Sequence, residues 1–102
     1  MDEEIKMSFA LENGELVCSL EGRLDTGVSS QISEALQKEL EAKPASVVLD
    51  LGEVYYICSA FLRICLQLAK DFGKDAFSVR NALLPVKKIF KISALDTMMK
   101  IE

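Results

Sequence analysis

The chain has 102 residues, 50% of them hydrophobic and 27% charged, with a net charge of −4; this is the size and make-up of one globular domain, 1–102, with its own core. The acidic balance gives no support to nucleic-acid binding, which a basic footprint would accompany. The absence of any histidine removes histidine-based metal sites, triads and general bases together, so composition points away from an enzyme: no catalytic residue, no metal and no cofactor is expected.

The opening residues Met1-Asp2-Glu3-Glu4 are acidic where a secretion signal is basic. No apolar run approaches the roughly 18 residues of a membrane span. Cys18, Cys58 and Cys65 are an odd number without CxxC spacing, a pattern that suits a reducing cytoplasm better than a disulfide framework. Cys65 falls on an apolar helix face and Cys58 follows an apolar run without a cationic neighbour. Buried, inert thiols are therefore the expectation, with a redox switch as the alternative.

In chain order, Ile5, Met7, Phe9 and Leu11 alternate with polar or small residues, the period of a half-buried strand. Asn13-Gly14 then predicts a hairpin turn, because both residues tolerate φ > 0. Leu16, Cys18 and Leu20 share one face of the returning strand. Gly22–Gly27 reads as a loop, with Asp25 or Thr26 as helix cap. Val28, Ile32, Ala35, Leu36 and Leu40 recur at helical spacing, and Pro44 ends that helix. Val47–Leu51 predicts a buried strand, followed by a turn at Gly52-Glu53 and the segment Val54–Ile57.

A second helix starts at about Ser59. Arg63, Gln67, Lys70 and Asp71 fall on its polar stripe; Phe61, Ile64, Cys65, Leu68 and Phe72 fall on the apolar side. Ser59 sits where a hydroxyl can cap free backbone N–H groups. Gly73 closes the helix. Ala76–Val79 predicts a strand, and Pro85 opens a third helix with Val86, Ile89 and Phe90 inward and Lys87, Lys88 and Lys91 outward. Those lysines are a solvated face or a dock for an acidic partner. After a turn at Ser93–Thr97, Met98–Ile101 forms a last edge strand; Met98 and Met99 either fill the core edge or gasket a weak homodimer. The expected fold is α/β: a mixed four- to five-stranded sheet opening with an antiparallel hairpin, then βαβ-type crossovers with three helices.

Gly22-Arg23-Leu24-Asp25, Val47-Val48-Leu49-Asp50-Leu51 and Tyr56-Ile57-Cys58-Ser59-Ala60-Phe61-Leu62-Arg63 resemble the STAS domain of bacterial anti-sigma factor antagonists. Val86–Ile92 followed by Ser93-Ala94-Leu95 is similar to the end of that domain. The resemblance implies a cytoplasmic protein whose partner is an anti-sigma factor that is also a serine kinase, with neither nucleic acid nor membrane bound directly. It implies that Ser59 is the phosphate acceptor, and that Asp25, Thr26, Cys58, Ala60 and Arg63 belong to the partner surface. Asp25 and Thr26 are equally candidates for a plain helix cap. In two places the chain departs from the family's usual residues: Cys58 stands where Asp or Ser is usual, and Phe61 where Gly is. Phe61 is expected to pack into the core; the alternative is a ring that alters access to the serine. The competing functional reading is a STAS scaffold subunit, not phosphorylated, in a signalling or transport assembly.

Overall fold

A computed structural model describes residues 6–102. Strand β1 (Met7–Glu12) pairs antiparallel with β2 (Glu15–Leu24). Between them Asn13 and Gly14 take φ of +52° and +81°, the left-handed pair that matches the twist of a hairpin. Ile5, counted above in the first strand, lies outside the described residues. The chain continues through α1 (Thr26–Leu40), β3 (Ser46–Ile57), α2 (Ser59–Phe72), β4 (Phe77–Arg80) and α3 (Leu84–Ile92), then a 3₁₀ turn at Leu95–Thr97 and a short β5 (Lys100–Ile101).

The sheet order is β1-β2-β3-β4-β5, and every pair after the hairpin is parallel. Each crossover steps the same way across the sheet, and right-handed connections then put all three helices on one face. Burial follows from this. Leu16, Cys18 and Leu20 of β2, Val47, Leu49 and Leu51 of β3, and Phe77 and Val79 of β4 join one core with residues of all three helices. Val48, pointing to the opposite face, stays outside that core. Two layers result, and the thinnest dimension is 19 Å.

Two strands run longer than the sequence pattern suggests. The loop expected from Gly22 is strand as far as Leu24, which is buried in the core. Gly22 absorbs a register irregularity against β3 with φ +90°, a backbone state that costs glycine little. Likewise the turn expected at Gly52-Glu53 is absent. Strand β3 is continuous through it, and a second register shift near Gly52 lets the strand run on to Ile57 beside β2.

Helix α1 stops at Leu40, four positions before the buried Pro44, and Lys43 takes a left-handed turn between them. Met99 is fully buried and so belongs to the core rather than to a dimer gasket; Met98 is exposed. Because β2, β3 and β4 are parallel, their C-terminal ends and the starts of α1, α2 and α3 share one edge of the sheet.

Candidate functional site

The starts of α1 and α2 lie side by side on that edge. Asp25 is the cap of α1: its backbone is extended and its Oδ1 accepts the Val28 N–H at 2.9 Å. This satisfies one of the donors a helix leaves unpaired at its N-terminus. Thr26 is thereby the first helical residue and its side chain is exposed.

Helix α2 opens differently. Cys58, not Ser59, occupies the cap position, with φ −118° and ψ 175°, and it makes no capping side-chain hydrogen bond. Ser59 is the first helical residue; it is exposed, and its hydroxyl caps nothing. Phe61, two residues on, is fully buried, so the ring takes the core position and leaves the serine open to solvent.

Cys58 is half-buried, its Sγ 3.7 Å from the hydroxyl of Ser29 on α1. Burial pushes this thiol up, but the Phe61 N–H, the Ser29 hydroxyl, the Ala60 N–H and the Thr26 hydroxyl together hold it below its ordinary value. The expectation of a buried thiol is therefore corrected at this position, and the lowered pKa favours its thiolate. No cation is needed, because donors at a helix start stabilise a thiolate. Burial and, secondarily, Glu39 push Cys18 up to about 12. Burial likewise raises the fully buried Cys65.

Between α1 and α2 runs a polar groove of about 500 Å³ whose walls include Thr26, Ser29, Ser30, Ala60, Arg63 and Gln67. The structure thus brings Thr26, Ala60 and Arg63 to one surface, with Cys58 behind its wall through Ser29. Asp25 and Ser59 do not line it; both sit at the helix starts along the same edge.

Further along the edge, Asp50 accepts the Gly52 N–H at 3.1 Å and the Asn81 side-chain amide at 3.3 Å, with Arg80 Nε 3.8 Å away. Asp50 thereby fastens the irregular part of β3 to the β4–α3 connection. Arg23 lies over the ring of Tyr56 at 4.0 Å, a cation–π contact that braces the overhanging ends of β2 and β3. Among the described residues, no three Cys, Asp or Glu side chains are grouped to hold a metal ion, and no helix is long and apolar enough to cross a membrane.

A family model described as "Mlab, STAS domain" matches residues 7–101. The chain belongs to the STAS-domain family. It is 32% identical over 91 residues to the Bordetella bronchiseptica protein named "Putative anti-sigma factor antagonist BtrV", covering 87% of this chain and 78% of that one. Its fold is similar to the crystal structure of an anti-sigma factor antagonist from Mycobacterium paratuberculosis, with TM-score 0.85, 21% identity, and 96% and 85% of the two chains covered. It is also similar to the anti-sigma factor antagonist SpoIIAA in its unphosphorylated form, with TM-score 0.76, 16% identity and 97% and 88% covered. SpoIIAA has been solved in a phosphorylated form as well, similar to this chain with TM-score 0.69, 15% identity and 97% and 91% covered.

Within this STAS domain, both departures from the usual family residues fall at the start of α2. One, Phe61, goes inward to the core; the other, Cys58, stays at the helix mouth. Sequence reading overlooked Ser29, which is 1% exposed and walls the groove. A signal was there: Ser29 stands three residues before Ile32 and seven before Leu36, on the stripe that faces the core. Asp50 was passed over too, although a lone carboxylate inside Val47–Leu51 needs partners of its own.

Proposed function

We propose that this STAS protein is a cytoplasmic anti-sigma factor antagonist, that it binds a kinase-type anti-sigma factor, and that phosphorylation of Ser59 ends that binding. The observation that carries this reading is the exposure of Ser59 as the first residue of α2, beside a groove that gathers Thr26, Ala60 and Arg63. The named function of the Bordetella relative supports the same reading.

The physical consequence of phosphorylation follows from where the hydroxyl sits. A phosphoryl group adds about −1.5 to −2 charges at neutral pH. The N–H groups at the start of α2 are not occupied by a side-chain cap, and a helix N-terminus stabilises such an anion by about 0.3–1 kcal/mol. The fold therefore tolerates the modification. A docked partner does not: unpaired or like charge in an interface costs several kcal/mol, and about 1.4 kcal/mol is tenfold in affinity. A switch of about 100-fold thus needs no rearrangement of the core. In this reading Asp25, Cys58, Thr26, Ala60 and Arg63 form the partner surface, and the domain itself supplies no catalytic group.

A scaffold role without phosphorylation remains the second reading, and Cys58 is the observation that favours it. A thiol at the helix mouth replaces the Asp or Ser usual before the acceptor serine. The test is to isolate the partner, incubate it with ATP and this protein, and locate phosphate by mass spectrometry. Phosphate on Ser59, absent from Ser59→Ala and accompanied by partner release, supports the switch. A bound partner that transfers no phosphate, and holds Ser59→Ala and Ser59→Asp equally well, selects the scaffold.

A further inference from the structure

On the opposite edge of the sheet, where β4 and β5 begin, four lysines converge on one cavity. Lys74 comes from the α2–β4 connection, Lys87 and Lys91 from α3, and Lys100 from β5; together they border a cavity of about 430 Å³ with Met99 and Ile101. The chain carries 12 cationic residues against 16 anionic ones, so a third of its positive charge gathers at one spot of an acidic molecule. Asp96 is the one acidic side chain in the lining. Among the described residues Lys74, Lys87 and Lys91 make no ion pair, and Lys100 reaches only Glu102, at 4.0 Å between two exposed groups.

We propose that this cavity is a docking site for an acidic polypeptide segment of a partner protein, separate from the Ser59 edge. The shape and charge select that occupant. Lys87 and Lys91 stand one helical turn apart, about 6 Å along α3, a spacing that suits successive carboxylates of a peptide rather than one phosphate. The half-buried Ile101 adds apolar surface for a side chain between those carboxylates, over the buried Met99 that floors the cavity. A concave cavity admits a chain segment and does not lie flat on a bilayer. An adjoining cavity shares Lys74 and Lys100 but includes Glu15 and Asp75, which leaves the α3 flank as the most positive wall. Lys88 lies outside the lining and so distinguishes local charge from net charge.

The probe is an acetylated hexaglutamate peptide titrated into isotope-labelled full-length protein and followed by amide chemical shifts. Shifts should cluster at Lys74, Lys87, Lys91, Met99 and Lys100, and fade as salt shortens the screening length below about 8 Å. Lys87→Glu with Lys91→Glu should weaken binding about tenfold or more, while Lys88→Glu, with an equal charge change per site, stays within about twofold. Lys74→Glu, in a connection rather than a helix, should weaken it too. Ser59→Asp should leave it unchanged, so this site can fail while the switch stands, and the reverse. Equal losses in Lys88→Glu and the α3 double variant would overturn the proposal. So would shifts centred on Thr26–Arg63, or inorganic phosphate or phosphatidylglycerol vesicles reproducing the site's shifts where the peptide does not.

Discussion

Helices α1 and α2 begin side by side on the same edge of the sheet, and they begin in opposite ways. Asp25 caps α1 with a carboxylate and satisfies the Val28 N–H. Cys58 stands in the same position before α2 and makes no capping hydrogen bond there; the Phe61 and Ala60 N–H groups favour only its thiolate. The first start is finished within the chain; the second leaves donors for something else, either a charged form of Cys58 or a group attached to its neighbour Ser59. A helix start completed by its own side chain is a structural device. One left open beside an exposed hydroxyl suits the regulatory role proposed for Ser59.

That contrast can be broken at several points. The largest effect is expected inside α2's anchor: Phe61→Ala removes a fully buried ring and should cost about 3–5 kcal/mol of stability by denaturant unfolding. A much smaller loss would mean that Phe61 is not what pins the helix start to the core. Next, Asp25→Ala should cost about 1 kcal/mol, whereas Cys58→Asp should leave stability unchanged or raise it by about 0.5–1 kcal/mol by supplying the missing cap. Equal destabilisation by the two would erase the difference between the starts.

The thiols offer a finer test. Cys58 has its pKa lowered below 9.0 by donors around its sulfur, while Cys18 and Cys65 are raised by burial. Only the thiolate reacts with an alkylating agent. Raising the pH should therefore label Cys58 first, with a midpoint below 9.0, and leave the other two unlabelled in the folded protein. The sign of the linked stability is fixed as well. A depressed folded pKa contributes stability above the unfolded value, and this contribution is lost as pH falls through the folded value. Mass spectrometry of labelled peptides across pH checks the order; simultaneous labelling of all three would contradict it. The smallest effect is expected from Ser59→Ala, within about 0.5 kcal/mol, because the hydroxyl is exposed and caps nothing.

What sequence reading captured and missed divides along physical lines. The hydrophobic period located all three helices, and Asn13-Gly14 located the hairpin, because each signal is local and repeated. Cap chemistry narrowed the start of α1 to Asp25 or Thr26. The long strands were missed because Gly22 and Gly52, ordinarily turn residues, here serve register irregularities that only the pairing with a neighbouring strand requires. Ser29 and Asp50 were missed because their importance lies in partners distant in sequence, Cys58 and Asn81. Cys58 was misjudged for a related reason. Its electrostatics come from backbone N–H groups and hydroxyls, which composition does not reveal, rather than from a neighbouring cation.

The most direct measurement of the central claim is the dissociation constant between the isolated partner and three forms of this protein: unmodified, phosphorylated on Ser59, and Ser59→Ala. The account predicts that the unmodified and Ser59→Ala proteins bind alike, and that the phosphorylated form binds about 100-fold more weakly with its amide spectrum otherwise native. Equal affinity for all three would contradict it and leave the exposed serine without a regulatory role.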